Sequence, residues 1–460
     1  MKKRPLNVIW ITTDHIRADA IGALGNPVVQ TPNLDKLVNN GASFTNCFAQ
    51  NPLCMPSRCS FMTGCYPQQT GVMENGQELP ADFAPTMARS FANAGYRTLQ
   101  IGKLHFQGHE DHDLDPSPRN TYGFDIFQAP EEPGCYEDAY RTWLRGEYPE
   151  LVDTFTLPRP MSKERHSEYS EFQVLDAPWQ ASHSGWIATQ ACRYLGAWGL
   201  RQDPQFMHLG FDAPHPPMNP TREMFEPYRD QEMDLPLHHS NDWNDPNQWS
   251  ADHLQEYRRH FYAMATGVDM AIGKLIDQLK ELGVYEDTLI LFNSDHGDLC
   301  GDHGRMGKGP SFYDSIMRVP WTMHWPNGLG TPGRRIDGLV EMIDVLPTLL
   351  DLTGTPLHPA MAGRSYARGL LDGSEVKCRD DVYAVHGPGH IMLRTEEYKY
   401  LRYVEENGHR EVLYDLQADP GEFKNMANGL ETLPARELKE RALARTIEAS
   451  RSILPRRLHF

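Results

Sequence analysis

The sequence predicts an α/β fold: a mostly parallel sheet flanked by helices, followed by a smaller antiparallel sheet with a covering helix. Two observations carry this prediction. Short, continuous apolar runs end abruptly in clusters of Asp, His and Lys, the pattern of strands buried on both faces whose carboxyl ends share one ligand-facing edge. Segments of helical periodicity, with their own start and stop residues, fall between those runs. At 460 residues the chain is long enough to bury a large core of this kind.

Taken in order, the apolar run at 6–11 ends at Asp14 and His15. Thr31 and Pro32 open a helix with Leu34, Leu37 and Val38 on one face and Gly41 as its stop. Residues 85–95 repeat that design around Met87 and Phe91, and the run at 97–101 then ends at Lys103 and His105. A further run at 206–211 ends at His215. The longest predicted helix spans 251–282, with Phe261, Met264, Val268, Ile272, Leu275, Ile276 and Leu279 as its buried stripe and Gly283 closing it. The run at 288–292 ends at Asp295, His296 and Gly297. Alternation of this kind continues to about residue 365, so 1–365 reads as an α/β domain and 366–460 as a small α+β subdomain. The latter holds strand-like runs at 382–385, 391–394, 398–403 and 411–416 and a helix at 433–453. Residues 108–200 resist division, and His109 and His112 read as an exposed loop.

Composition narrows the partners. Lys plus Arg number 44 against 62 Asp plus Glu, a formal charge of −18, which argues against nucleic acid or an anionic membrane as the partner. An anionic ligand must then be captured by a local basic pocket. The opening Met1-Lys2-Lys3-Arg4-Pro5 leads into an apolar run too short to span a bilayer and without a small-residue cleavage site. Eight cysteines without Cys-x-x-Cys spacing fit reduced thiols and a cytoplasmic location better than a disulfide framework or a zinc module.

The stretch that implies a specific chemistry is Cys54-Met55-Pro56-Ser57-Arg58-Cys59-Ser60-Phe61-Met62-Thr63-Gly64. Pro56 suits a first helical turn and Gly64 a stop, which places Cys54 just ahead of a helix N-terminus, where negative charge is favoured. A plain thiol there would be an activated thiolate. A buried apolar residue is the commoner fate of a free cysteine. Arg58, four residues on, supplies a fixed cationic fork on the same side of the turn and shifts the balance toward function.

This stretch resembles the signature of the type I sulfatases, Cys-x-Pro-Ser-Arg-x-x-x-x-Thr-Gly, at Cys54, Pro56, Ser57, Arg58, Thr63 and Gly64. The resemblance implies that Cys54 is a precursor, oxidised by a formylglycine-generating enzyme to 3-oxoalanine (formylglycine), an aldehyde held as its hydrate. It also implies an alkaline phosphatase-like fold, and it places Asp14, His15, Asp295, His296 and the converted Cys54 on one divalent metal ion. Most relatives carry a second Asp where this chain has His15, and commonly Asn where it has His296. The Asp-His arrangement instead looks like choline sulfatases and phosphonate monoester hydrolases of the same superfamily. All-oxygen sites suit Ca²⁺ and imidazole favours Mn²⁺, so the ion is left between the two.

A second, cationic set resembles further motifs of the family: Gly102-Lys103-Leu104-His105, Pro214-His215-Pro216-Pro217 and Gly307-Lys308-Gly309. A tetrahedral anion taken out of water needs several donors aimed at its oxygens, and Lys103, His215 and Lys308, with Asn75 as a weaker candidate, are the expected substrate contacts. The implied mechanism has one hydrate hydroxyl, deprotonated with help from Asp295, attack sulfur while His215 or Lys308 protonates the departing alcohol. His105 then takes the proton of the second hydroxyl as sulfate is expelled, and Arg58 fixes the hydrate. The segments 31–35, 344–350 and 413–416 also look like familiar parts of the family.

The expected activity is hydrolysis of a small-molecule organic sulfate monoester, with no nucleic-acid or membrane partner. Two alternatives stand beside it: a phosphonate monoester or phosphodiester hydrolase on the same architecture, and an anion-binding protein in which Cys54 stays a thiol. The sequence leaves the oligomeric state open, a homo-oligomer included.

Overall fold

A computed structural model describes residues 7–108, 120–130, 137–155, 172–198, 203–234, 236, 249–387, 389–426 and 433–451. His109 and His112 lie outside these. The larger sheet contains β1 (Asn7–Thr13), β2 (Ala42–Phe48), β3 (Arg97–Gly102), β4 (Ile126–Gln128), β5 (Gln205–Gly210), β6 (Thr288–Ser294), β7 (Arg318–His324) and β8 (Arg334–Glu341), in the order β4-β3-β5-β1-β6-β7-β2-β8. Only β7 runs against the rest: it pairs antiparallel with β6 and β2, and every other pairing is parallel.

The strands foreseen as apolar runs are β1, β3, β5 and β6, which sit together at the centre of the sheet and are buried along nearly their whole length. The strands without a clear signal are β2, β4, β7 and β8. In β2 the run Ala-Ser-Phe-Thr-Asn-Cys-Phe is broken by polar residues, yet Ser43 is buried because its hydroxyl pairs with Thr322 of β7 at 2.9 Å. Polar side chains that satisfy each other across strands leave no apolar run to read.

Helices cover both faces. Pro32–Asn40 and the long Ala251–Glu281 follow the expected bounds closely, the latter capped by Ser250 Oγ accepting from the His253 amide and packing against the helix His183–Trp198. The 85–95 segment forms the shorter helix Met87–Asn93, because Thr86, not Pro85, caps it by accepting from the Arg89 amide. Within 108–200, helices Ala139–Glu147 and His183–Trp198 are resolved from the undivided stretch. No described helix is long and apolar enough to cross a membrane.

The second sheet is antiparallel, β12-β11-β10-β9, built from β9 (Val382–His386), β10 (His390–Arg394), β11 (Tyr398–Glu405) and β12 (Gly408–Asp415). One face, with Val382, Ala384, Met392, Leu401 and Val412, packs on Phe48, Leu299, Phe312 and Ile316 beside the larger sheet. Its other face, with Leu393, Tyr400 and Leu413, packs on Ala435, Leu438 and Ala442 of the helix Leu433–Ala449.

Topology positions the site. Parallel strands β1, β3, β5 and β6 deliver the residues that follow them to one edge. Because β7 is antiparallel, the chain that leaves β6 re-enters the sheet from that same edge, so the whole 295–317 connection, Lys308 included, stays over the carboxyl ends.

Candidate active site

Cys54 is the first residue of the helix Cys54–Phe61, with Leu53 as its cap, one position further in than expected. All eight residues of this helix are buried. Its opening amides lack helical partners, and Asn75 Oδ1 takes up the Met55 amide at 3.1 Å. Ser57 anchors the turn by donating its hydroxyl to the Asp295 carbonyl at 2.6 Å.

The Cys54 sulfur lies 3.3 Å from His296 Nε2 and 3.7 Å from Asp14 Oδ1, with the Lys308 ammonium donating to it directly. Ligand atoms of Asp14, Cys54, Asp295 and His296, all buried, lie within 4.8 Å of one another; Asp14 belongs to a second such group with His15 and His215. Each imidazole has its tautomer set from behind. His296 Nδ1 faces the Gly297 carbonyl at 2.9 Å and His215 Nδ1 the Pro216 carbonyl at 2.6 Å. Carbonyls only accept, so both Nδ1 atoms carry the proton and both Nε2 atoms present a lone pair. His15 Nδ1 lies 2.6 Å from Asp298 Oδ2, which frees its Nε2 in the same way. That Nε2 is buried without a hydrogen bond, 3.6 Å from Asp14 Oδ1. His15 also adopts a left-handed backbone, φ 73°, a conformation a non-glycine residue holds only where its surroundings enforce it. An orphaned imidazole nitrogen beside carboxylates, backed by a further carboxylate, is an arrangement that could hold a divalent metal ion.

Lys103 sits at the end of β3, where its amide donates to the Gly210 carbonyl at 2.7 Å. Gly102 is required here: its φ is +86° and a side-chain carbon would stand 2.0 Å from the Gly210 carbonyl oxygen. The Lys103 ammonium is fully buried, 2.8 Å from Asp14 Oδ2 and 2.9 Å from Asp212 Oδ1. Arg58 spends its donors on the scaffold: Nε on Asp295 Oδ2 at 2.7 Å and a terminal nitrogen on the Lys103 carbonyl at 3.0 Å. His105 is buried with φ 60°.

Electrostatics follow from this burial. Desolvation works to raise the Asp14 carboxyl, but the Lys103 and Lys308 ammonium groups hold it well below the usual carboxylate range. Burial and the Lys308 charge lower the His15 and His215 imidazoles, and burial lowers His296. All three are therefore neutral, as ligation requires. Burial and the Asp14 charge push the Cys54 thiol up to about 12, against the opposing pull of Lys308 and Lys103. The expectation of an activated thiolate is thus overturned: the helix terminus and two lysines do not outweigh desolvation and a carboxylate at 3.7 Å.

The structure brings Asp14, His15, Cys54, Arg58, Lys103, His215, Asp295, His296 and Lys308 to one centre, and it places Asn75 on the backbone of the Cys54 helix. Sequence reasoning missed Asp298, which holds His15, and Asp212, which holds Lys103. Both lie close in sequence to expected site residues, Asp298 just after Asp295-His296-Gly297 and Asp212 at the end of the apolar run of β5, but nothing local marks their partners.

Comparison with known proteins agrees with this geometry. The family described as Sulfatase matches residues 6–355, and that described as N-sulphoglucosamine sulphohydrolase, C-terminal, matches 301–448. An arylsulfatase of Clostridium perfringens is 28% identical over 462 residues, covering 92% of this chain and 91% of the relative. A multifunctional alkaline phosphatase superfamily protein of Trinickia caryophylli is 26% identical over 485 residues, with 92% and 91% covered. Among solved structures, the phosphonate monoester hydrolase of Agrobacterium radiobacter superposes with a TM-score of 0.81 at 25% identity, covering 97% of this chain and 96% of that one. Because the family match runs over residues 6–355 and takes in the Cys54 helix, the carboxylate–imidazole cluster and both lysines, this chain belongs to the sulfatase family, the hydrolases of sulfate esters.

Proposed function

We propose that the chain hydrolyses an organic sulfate monoester at a formylglycine made from Cys54 by a formylglycine-generating enzyme, with one divalent metal ion held by Asp14, His15, Asp295 and His296. The observation that carries this reading is the setting of the Cys54 sulfur, between His296 Nε2, Asp14 Oδ1 and the Lys308 ammonium at the first residue of a buried helix. A thiol with its pKa near 12 is a poor nucleophile at neutral pH, which favours conversion over direct use. Two carboxylates with two imidazoles favour Mn²⁺ over Ca²⁺. When bound, the metal would supply Lewis-acid stabilisation of charge on the ester oxygens, and the aldehyde hydrate a hydroxyl nucleophile that regenerates without external help.

The chain's own residues supply the rest. Lys103 and Lys308 are kept as ammonium ions, since Asp14 and Asp212 around the first, and Asp14 and Asp295 around the second, offset the cost of burial. Both are donors for the anionic head of the ester. His215 is neutral with its only proton engaged by the Pro216 carbonyl, so protonation of the departing alcohol falls to Lys308 and His215 accepts or ligates. Arg58 locks Asp295 and the Lys103 backbone in place. His105 is assigned the base of the second step.

The competing reading, a phosphonate monoester hydrolase, draws on the likeness to the Agrobacterium radiobacter structure and on the imidazoles at 15 and 296. Hydrolysis of 4-nitrophenyl sulfate compared with a phenyl phosphonate monoester decides: faster sulfate turnover is expected, and much faster phosphonate turnover would overturn the assignment. Eight cysteines without Cys-x-x-Cys spacing keep the cytoplasm as the proposed location.

A further inference from the structure

Beside the catalytic centre, behind the turn that follows β5, lies a cavity with about 80 Å³ of space open to water-sized molecules. Asp212 and His215 form the wall it shares with the centre, and the His215 ring stands edge-on to His15 at 4.8 Å. Much of the remaining lining is apolar, with Phe155, Leu175, Met224 and Met264, and no Lys or Arg lines it among the described residues.

One polar side chain in this wall is unexplained by the fold. His183 opens the helix His183–Trp198 and is buried, yet neither ring nitrogen has a hydrogen-bond partner among the described residues. Its orientation is fixed by ring packing: Trp186 stacks on it at 5.5 Å and Tyr140 meets it edge-on at 5.3 Å. Burial and the nearby Lys103 charge lower it to about 3, so the ring is neutral and offers one donor and one acceptor. Across the same lining, Asn219 Oδ1 is buried and likewise unpaired. Buried polar atoms left open cost stability, and a ligand hydroxyl, both donor and acceptor, satisfies them.

Resting on the sulfate-ester reading above, we propose that this cavity binds the alcohol part of the substrate and selects an uncharged, partly apolar alcohol carrying a hydroxyl that His183 recognises. The apolar walls and the two methionines accommodate an aryl or compact alkyl group. A second sulfate or a carboxylate on the alcohol would enter a desolvated space where no Lys or Arg among the described residues lines the wall to meet it. His183 is a specificity residue, not a member of the reacting centre.

Binding measured by calorimetry on full-length Cys54→Ala protein separates this from the chemistry. The expected order is 2-hydroxyphenyl sulfate tighter than D-glucosamine-2-N,6-O-disulfate. Adding Met264→Trp, which fills the cavity, is expected to raise the Kd for 2-hydroxyphenyl sulfate about tenfold or more and to leave methyl sulfate unchanged. His183→Leu is expected to raise the Kd for 2-hydroxyphenyl sulfate several-fold while phenyl sulfate, which lacks the free hydroxyl, changes little. Unaltered binding in Met264→Trp, equal losses for both aryl sulfates in His183→Leu, or tighter binding of the disulfated sugar would each overturn the proposal. Should the converted enzyme cleave phenyl phosphonate monoesters and not sulfates, the sulfate reading fails, and Met264→Trp with aryl and methyl phosphonate monoesters still judges the cavity.

Discussion

His15 Nδ1 and Asp298 Oδ2 meet at 2.6 Å, tying the residue after β1 to the loop after β6. The other Asp298 oxygen accepts from the Cys300 amide at 2.7 Å and the Gly307 amide at 3.2 Å, so it must remain an acceptor. In Asp298→Asn the carbonyl therefore stays on those amides and the NH₂ faces His15. The imidazole proton must then move to Nε2, removing the lone pair aimed at Asp14. Metal affinity, measured by calorimetry with Mn²⁺ and with Ca²⁺, should fall by about ten- to a hundredfold. Unchanged affinity would take His15 out of the ligand set.

The raised Cys54 pKa makes a prediction for unconverted protein. With the thiol near 12, the thiolate fraction at pH 8 is about one in ten thousand. Iodoacetamide should leave Cys54 essentially unlabelled in EDTA-treated, folded, unconverted chain. Rapid labelling at pH 7 would contradict the electrostatic account of the site.

Lys308 is the remaining charged donor at the sulfur. Lys308→Ala should lower kcat by about a hundredfold or more, the loss expected for a donor to the transition state, with KM altered far less. Asp295→Asn should lose metal and activity together, since one Asp295 oxygen receives Arg58 while the other takes the His296 amide at 2.8 Å. Retained metal and a near-normal rate in that variant would remove Asp295 from the centre.

Acid stability should carry a His183 contribution. Folded, this ring stays neutral down to about 3; unfolded, it takes a proton near 6.5. Between those values the unfolded chain binds more protons, so stability falls as pH falls, by up to about 1.4 kcal/mol per pH unit for this one group. Urea melts of wild type and His183→Leu between pH 6.5 and 4 should show the shallower acid slope in the variant. Parallel slopes would mean that the folded ring titrates normally.

The central strands and the residues that converge on Cys54 were legible because each had a local signature. Asp14, Lys103, His215 and Asp295 all follow apolar runs, and Cys54 to Gly64 carries its own motif. The outer strands were not, because β2 buries Ser43 against Thr322 and β7 runs antiparallel, neither of which leaves a period in the sequence. Asp212 and Asp298 act through contacts 109 and 283 residues apart in the chain, and no local pattern marks such a pairing. The Cys54 pKa was misjudged for the same reason: the helix terminus is local, whereas the opposing carboxylate arrives from β1.

The central claim is that Cys54 is the precursor of the nucleophile. Mass spectrometry of the peptide spanning Cys54, purified from the native host, tests it most directly. The account predicts a species in which the side-chain CH₂SH has become an aldehyde, losing H₂S and gaining oxygen, in a sample that turns over a sulfate ester. A sample that hydrolyses the ester at full rate with Cys54 present solely as the unmodified thiol would contradict it.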